Sequence, residues 1–151
     1  MRNHGARLFA AIISSSLALA ASACSNGFHV VRTAANVDVV PGSIAVLHEP
    51  APTENHAAFA QGFSDELARI LPEYTIVQPG ASRYRLHVRD VELRAGTDQT
   101  QGQARLALRD QDGELIDLVE IRATGPDATE TGETAARQFA RFLAEREHHD
   151  W

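Results

Sequence analysis

Arginine side chains alternate with apolar ones along two segments of the chain, residues 83–89 and 105–109. Successive side chains of an extended strand point to opposite faces, so these arginines are predicted to share one face of a sheet with His87. A guanidinium group binds phosphate and carboxylate through paired hydrogen bonds. The sequence therefore predicts a face for an anionic ligand or partner, formed by Arg83, Arg85, Arg89, Arg105 and Arg109.

A second chemical feature is the single cysteine, Cys24, which follows an apolar stretch over residues 8–21. A positively charged start, a short apolar stretch and small residues before a cleavage point are the three parts of a secretory signal peptide. Residues 21–24, Ala-Ser-Ala-Cys, resemble a bacterial lipobox, in which the cysteine thiol accepts an acyl group, although Ala21 stands where leucine is usual. We expect residues 1–23 to be removed as a lipoprotein signal peptide and Cys24 to be lipidated; plain secretion is the alternative.

The sequence offers few candidates for catalysis. It contains no phosphate-binding loop, dinucleotide-binding, nucleophile-elbow or zinc-protease motif, and it has no lysine for Schiff-base chemistry. His48 and His56 flank a predicted loop and form a candidate metal-ligand pair, for which exposure of both side chains to water is the alternative. We expect no catalytic residues, no metal and no cofactor; a small periplasmic hydrolase is the alternative.

The composition limits the class of protein. The 151 residues include 14 basic residues, all of them arginine, and 20 acidic ones, which gives a formal charge of −6. Removal of residues 1–23 takes away Arg2 and Arg7 and no acid, so 12 arginines remain against 20 acids and the charge becomes −8. One cysteine, an acidic balance and a 44% hydrophobic content exclude a disulfide scaffold and a basic nucleic-acid module, and they support one modest core.

Apolar spacing predicts two helices. The first covers about residues 56–71, after an N-cap at Asn55 and before Pro72, and the second covers about residues 131–147. Gly62 lies inside the first helix, where glycine costs about 1 kcal/mol relative to alanine. The apolar stripe of the first helix has spacings of four, four, three and one: Phe59, Phe63, Leu67, Ile70 and Leu71.

Strand patterns surround the helices, at 43–49, 74–78 and in the alternating segment 83–96. Val91 and Leu93 are out of phase with the apolar residues before them. One extra residue is needed to return them to the same face, so the sequence predicts a β-bulge near residues 89–90.

Asp112-Gly113 is a hairpin signal between the last two predicted strands. As a two-residue loop it sets a register that pairs Leu106 with Val119 and Ala104 with Ile121 on one face. On the other face this register sets Arg105 opposite Glu120. The arginine face therefore has a second interpretation, a solvated surface neutralised by its own neighbours.

The order of these elements predicts an α+β fold: a single mainly antiparallel sheet of about four to five strands, in the order β-α-β-β-β-β-α, with two helices packed on one face. We expect four regions along the chain: 1–23 signal peptide, 24–42 lipidated cysteine and tether with a possible edge strand at 28–31, 43–147 α+β sandwich domain, and 148–151 disordered tail.

Several segments follow one another in a characteristic order after the signal that ends at Cys24: GFHVVR, SIAVLHEP, DELARIL, YTIVQPGASRYRLHVRDVELR and RLALRDQDGELI. This order resembles small bacterial envelope lipoproteins and periplasmic domains related to the TolB amino-terminal domain, the curli-secretion lipoprotein and the lipopolysaccharide-assembly lipoprotein. The resemblance implies plugs, adaptors and assembly partners without catalytic residues. It also implies contact with a glycolipid through basic residues, for which Arg83, Arg85 and Arg89 are the analogous positions.

We therefore expect a non-enzymatic envelope lipoprotein that acts as an adaptor or as an assembly or transport accessory partner, with an envelope protein partner and no nucleic acid. The alternative is a periplasm-facing module that binds an anionic lipid or glycan through the arginine face. Ser25, in place of Asp after the cysteine, indicates the periplasmic side of the outer membrane by analogy with enterobacterial sorting. A soluble periplasmic or secreted protein is the alternative location.

Overall fold

Six strands form one mixed sheet in the computed structural model, which describes residues 26–34 and 36–146. The elements are β1 Gly27–Thr33, β2 Ser43–His48, α1 Glu54–Ile70, β3 Thr75–Ile76, β4 Tyr84–Ala95, β5 Thr100–Asp110, β6 Leu115–Gly125 and α2 Ala128–Arg146. The predicted α+β class with one sheet is confirmed, and the strand count is higher than predicted. The predicted signal peptide, Cys24 and the predicted tail at 148–151 lie outside the described residues.

The sheet order is β1-β6-β5-β4-β2-β3. The pairs β1–β6, β6–β5 and β5–β4 are antiparallel. Strand β2 runs parallel to both of its neighbours, β4 and β3. Parallel pairing requires a crossover connection, and α1 supplies it because it carries the chain from the end of β2 back toward the starts of β3 and β4. The sheet is therefore antiparallel over one part and parallel at one side.

The possible edge strand of the sequence analysis is β1, Gly27–Thr33, which pairs antiparallel with β6. Asn26 is fixed just before it, since its Oδ1 accepts hydrogen bonds from the backbone N and Oγ1 of Thr124 at 2.7 and 3.0 Å. A large part of the segment expected to act as a tether thus belongs to the sheet, which accounts for the sixth strand.

The β-bulge predicted near residues 89–90 is confirmed. Arg89 pairs with Arg105 and Glu92 pairs with Gln103, so two residues of β4 lie opposite a single residue of β5. Asp90 adopts the left-handed conformation there, with φ of 52°. The bulge returns the following apolar residues of β4 to the face of the core.

The predicted register of the β5–β6 hairpin is confirmed, with Ala104 opposite Ile121 and Arg105 opposite Glu120. The two-residue loop is wrong, because β5 ends at Asp110 and β6 begins at Leu115. A shift in register near the turn compensates for the longer loop. The loop is stabilised by Asp110 Oδ1, which accepts hydrogen bonds from the backbone N of Asp112 and of Glu114 at 3.0 and 2.9 Å.

Both helices begin earlier than predicted because of a preceding capping side chain. Thr53 caps α1 in place of Asn55: its backbone is extended and its Oγ1 accepts a hydrogen bond from the backbone N of His56 at 3.3 Å. Asp127 Oδ1 accepts a hydrogen bond from the backbone N of Glu130 at 2.9 Å at the start of α2. Each side chain satisfies a backbone N–H that has no partner within its own helix.

Both helices pack on one face of the sheet, which we call the inner face. Its strand residues are buried and belong to a single apolar cluster with the helices: Leu86, Val88, Leu106, Leu108, Val119 and Ile121. Phe59 and Phe63 of α1 and Phe139 and Phe142 of α2 are at most 1% exposed and fill the layer between helices and sheet. Aliphatic strand residues and four phenylalanines thus form the core.

Two glycines explain how both helices fit over the same face. A β-carbon added at Gly62 of α1 would lie 2.1 Å from Thr129 O, and one added at Gly132 of α2 would lie 2.1 Å from Phe59 O. The helix backbones are therefore in direct contact at these positions. The helix-propensity penalty expected at Gly62 is offset by this close packing.

A buried carboxylate joins the two helices beside the glycine contact. Glu66 of α1 accepts hydrogen bonds from Arg69 Nε and Nη2, both at 2.7 Å, and from Arg137 Nε of α2 at 2.8 Å. The hydrogen bonds from Arg69, followed by the one from Arg137, lower the pKa of Glu66 from 4.5 to about 2, against the opposing effect of burial. The carboxylate stays charged and crosslinks α1 and α2.

Replacing Gly62 with alanine is expected to lower the free energy of unfolding by at least about 2 kcal/mol, because the new methyl group overlaps a backbone carbonyl that cannot rotate away. Urea unfolding followed by circular dichroism measures the change. Gly27→Ala is the control, since a β-carbon there meets nothing within 4 Å. Equal effects of the two substitutions would contradict the close helix contact.

Replacing Glu66 with glutamine is expected to lower the free energy of unfolding by about 1–2 kcal/mol at neutral pH, since charge-assisted hydrogen bonds to two arginines are lost. The folded-state pKa is depressed, so the stabilisation by Glu66 is complete above the ordinary pKa of 4.5 and is lost as the pH falls toward about 2.

Urea titrations at several pH values should therefore show the difference between wild type and Glu66→Gln shrinking across this range. Glu145→Gln, which removes an exposed pair with Arg141, is the control and should have a small effect at every pH. A difference between wild type and Glu66→Gln that is constant down to about pH 3 would argue against this account.

Candidate functional site

The face of the sheet opposite the helices, which we call the outer face, carries most of the predicted site. Register and alternation place these residues on it: His29 and Arg32 of β1; Leu118, Glu120 and Arg122 of β6; Gln103, Arg105, Ala107 and Arg109 of β5; Arg85, His87, Arg89, Glu92 and Arg94 of β4; and Ala45 and Leu47 of β2. Among the residues that the structure describes, no helix or strand packs over this face.

Four of the five predicted arginines lie together on the two central strands in a specific arrangement. Arg85 of β4 is directly opposite Arg109 of β5, and Arg89 is directly opposite Arg105. The β-carbons of such cross-strand partners are about 4.5–5.5 Å apart, and like charges at these positions destabilise a sheet. The arrangement concentrates positive charge at the centre of the outer face.

Two of these arginines have carboxylate neighbours on the same face. Arg105 Nη2 lies 3.0 Å from Glu120 Oε1, and its Nη1 lies 3.8 Å from Asp90 Oδ2. Arg89 Nε lies 4.0 Å from the same oxygen of Asp90. The interpretation of the arginine face as a solvated surface, neutralised by its own neighbours, therefore applies to Arg89 and Arg105.

The other two have no such neighbour. Within residues 26–34 and 36–146, no carboxylate oxygen lies within 4.0 Å of the guanidinium of Arg85 or Arg109. Arg109 Nη1 donates a hydrogen bond to Gly113 O at 2.9 Å, which fixes the side chain without neutralising it. Arg85 and Arg109 are therefore the part of the predicted site whose positive charge is not neutralised by a neighbouring carboxylate.

Arg83 is separated from the other four arginines. It precedes β4, and its backbone N donates a hydrogen bond to Ser43 Oγ at 2.8 Å. Its guanidinium carbon lies 5.7 Å from the centre of the Tyr84 ring, and its side chain lies against Gly42. Because β4 begins only at Tyr84, the strand alternation does not extend to Arg83, and the Arg83 side chain packs against the loop that precedes β2.

His87 lies between the two arginine pairs on β4. Its pKa is lowered below 6.5, first by burial and then by the positive charges of Arg109, Arg89 and Arg85. The imidazole is therefore neutral at neutral pH in the free protein. Alternation along the strand predicted that His87 lies on the outer face, but its partial burial among arginines follows only from the structure.

Small and aliphatic residues surround His87, and the sequence patterns did not show that they would lie together. Ala107 lies directly opposite His87 on β5, and Ala45 lies directly opposite Arg85 on β2; both are at most 1% exposed. Leu47 and Leu118 continue the same row on the neighbouring strands and are half-buried. The apolar run of β2 was the sequence signal for Ala45 and Leu47, and the alternation along residues 105–109 was the signal for Ala107.

A cleft of about 170 Å³ at the end of β2 contains the two candidate metal ligands, His48 and His56. Both nitrogens of His56 are engaged, with Thr53 Oγ1 at 2.7 Å and Val91 O at 3.2 Å. His48 Nε2 lies 2.7 Å from Ser64 Oγ, and burial lowers the pKa of His48. These contacts leave no imidazole nitrogen of His56 for a metal.

The Ser64–His48 contact is also the one that a hydrolase would use, since an adjacent imidazole can activate a hydroxyl. In the described part of the chain no carboxylate contacts the other ring nitrogen of His48 to orient it. No group of three or more metal-ligating residues is present in that part either, and none of its helices is long and apolar enough to cross a membrane.

The fold, but not the sequence, is similar to known proteins. No protein-family model matches the chain, and no curated protein is similar to it in sequence. The PelC dodecamer from Paraburkholderia phytofirmans is 12% identical over 79% of this chain and 98% of its own chain, with a TM-score of 0.53. A variant of the same protein in a second crystal form gives 12% identity, the same coverage and a TM-score of 0.51.

A minor lipoprotein from Acinetobacter baumannii is also similar, with 10% identity over 73% of this chain and 96% of its own. The TM-score of this comparison is 0.43. The likeness to PelC shows a shared fold over most of the described residues and nothing about the outer face.

Removing the charge of Arg85 and removing the charge of Arg105 are expected to change the free energy of unfolding in opposite directions. Arg85→Gln should raise the free energy of unfolding by a few tenths of a kcal/mol, because it relieves repulsion from Arg109, whereas Arg105→Gln should lower it by about the same amount. Unfolding at low salt measures both changes. Added salt should shrink both, since it screens exposed charges; a loss of stability in both variants would contradict the assigned pairing.

Proposed function

We propose that this chain is a non-enzymatic lipoprotein of the bacterial envelope, anchored through Cys24, that acts as an adaptor or an assembly or transport accessory partner. One observation carries the proposal: both helices occupy the inner face, and the described chain leaves the outer face uncovered. Recognition through a broad surface of this kind suits a binding partner, whereas catalysis requires convergent groups in an enclosed site.

The anchor is proposed from the amino-terminal sequence, and the position of β1 supports it. Asn26, two residues after Cys24, is held by Thr124. An extended chain of two residues spans about 7 Å at most, so an acylated Cys24 would keep β1 and β6 close to the bilayer. We propose the periplasmic side of the outer membrane, with a soluble periplasmic or secreted form as the alternative.

We propose that the partner is a different envelope component and not a second copy of this chain. PelC forms a dodecamer, so self-association is the natural competing choice. A two-fold symmetric contact through the outer face would bring the same surface of both copies together. If the two-fold axis passed through the centre of that face, Arg85 and Arg109 would lie close to the same arginines of the second copy, which is unfavourable for like charges.

A second candidate function is binding of an anionic lipid or glycan. The observation in its favour is the opposed pair Arg85 and Arg109, which has no carboxylate neighbour in the described chain. An unneutralised pair of guanidinium groups is complementary to an anionic group in a ligand. An acidic partner protein would satisfy the same charges and is the competing occupant.

The anchor is tested by labelling cells with radioactive palmitate. The wild-type protein should incorporate the label and fractionate with membranes, whereas Cys24→Ser should do neither, because the serine hydroxyl does not replace the thiol as acyl acceptor. Ser22→Ala, which leaves the thiol in place, is the control. An unlabelled wild-type protein would overturn the lipoprotein proposal.

Protein purified from the same membranes distinguishes the two candidate functions by the lipid or glycan that copurifies with it. Arg85→Gln combined with Arg109→Gln should reduce the lipid or glycan that copurifies with the protein if the second candidate is correct. Unchanged recovery of that fraction would reject the second candidate and leave the adaptor proposal standing.

A further inference from the structure

We infer that Arg85, His87 and Arg109 form a site for a phosphate monoester on a membrane lipid headgroup. The inference rests on the second proposed function, binding of an anionic lipid or glycan. It goes further by selecting three of the outer-face residues and one headgroup chemistry.

The two guanidinium groups are the first element of the site. Arg85 and Arg109 are cross-strand partners, so their β-carbons are neighbours on the outer face of the sheet. Arg109 is fixed by its hydrogen bond to Gly113 O at 2.9 Å and keeps other N–H donors. The neighbouring Arg89 and Arg105 differ from them, since both lie within 4.0 Å of Asp90 Oδ2.

His87 is the second element. The charged groups around it are Arg85 and Arg89 on β4 and Arg105 and Arg109 on β5, while β2 and β6 contribute Leu47 and Leu118 to its row. Burial, followed by the positive charges of Arg109, Arg89 and Arg85, holds the pKa of His87 below the usual value. A bound anion would offset these positive charges, so His87 could take up a proton and donate a third hydrogen bond.

The surface around the site suits a headgroup. Ala45 and Ala107 are at most 1% exposed, so the longer side chains beside them cover them and form the surface that a headgroup would meet. Half-buried Leu47 and Leu118 lie on either side of His87 and Ala107 in the same row. A broad face with apolar flanks matches a membrane surface better than a free ion, which would remain solvated there.

The charge of the ligand follows from the donors. A phosphate monoester carries a charge of about −1.5 to −2 at neutral pH and three acceptor oxygens, whereas a diester carries one charge. Two guanidinium groups and an imidazole that can accept a proton match the monoester. The long-range repulsion between an anionic membrane and the acidic chain is screened beyond about 8 Å at physiological salt.

The test measures vesicle binding by the lipid-free protein, in which Cys24→Ser removes the acyl acceptor. Phosphatidylcholine vesicles contain either phosphatidic acid, a monoester, or phosphatidylglycerol, a diester, with the amounts adjusted to equal total charge. We expect about tenfold tighter binding to the phosphatidic acid vesicles. His87→Gln should reduce that preference while binding to phosphatidylglycerol is kept.

Arg85→Gln and Arg109→Gln should each weaken binding to phosphatidic acid by about tenfold. Arg94→Gln is the matched control, because it removes the same charge from an exposed position on the same strand and face, and it should change binding less than about twofold. Thermal unfolding of each variant confirms that it is folded, and Arg85→Gln is expected to be at least as stable as the wild type.

Three results would overturn the inference: equal binding to the two kinds of vesicle, equal effects of Arg94→Gln and Arg85→Gln, or binding of inorganic phosphate alone as tight as that of the vesicles. Each of them leaves palmitate labelling and copurification of an anionic fraction unaffected. Failure of the proposed function is different, since it shows as an unlabelled Cys24 and a copurifying fraction that does not depend on the arginines.

Discussion

The direct contact between two helix backbones at Gly62 and Gly132 sets the layout of this molecule. A β-carbon at either position would lie 2.1 Å from a carbonyl oxygen of the opposite helix, so a larger residue would force the helices apart. Their close approach lets both helices cover the inner face, where four phenylalanines fill the layer above the strands. The described chain then has no helix for the outer face, whose long polar side chains must cover the strands themselves.

Arginine is the only strong base of the chain, and the fold uses it in two ways. In the first, it compensates buried acids: Arg69 and Arg137 hold Glu66 between the helices. Arg146 likewise lies 2.9 Å from Asp117, which also accepts a hydrogen bond from Thr33. These contacts tie α2 to α1 and to the β1 edge of the sheet. In the second, arginine faces solvent on the outer face, where paired and unpaired forms occur on the same two strands.

Features set by local pattern could be predicted from the sequence. The bulge follows from the change of phase at Val91, and the β5–β6 register follows from matching apolar and charged positions. Features set by contacts between distant residues could not. The role of Gly62 depends on Thr129 of the other helix, and β1 becomes a strand because β6 is available at the edge. For the site, alternation found four clustered arginines. The position of Arg83 depends on the loop before β2, and the position of Ala45 beside Arg85 depends on strand order.

Two arginine pairs on the outer face differ in their surroundings, and the difference distinguishes a solvated surface from a surface suited to an anion. Arg105 lies opposite Glu120 on β6 and contacts it, which is the arrangement that a sheet face needs when it meets only water. Arg85 and Arg109 are a cross-strand arginine pair like Arg89 and Arg105, but Arg109 lies opposite Leu115 on β6, and neither Arg85 nor Arg109 contacts an acid in the described chain. A purely solvated face would gain stability from an acid at either position. The pair Arg85 and Arg109 therefore adds nothing to the stability of the sheet, and the proposed external anion would supply the negative charge that the described chain does not place beside it.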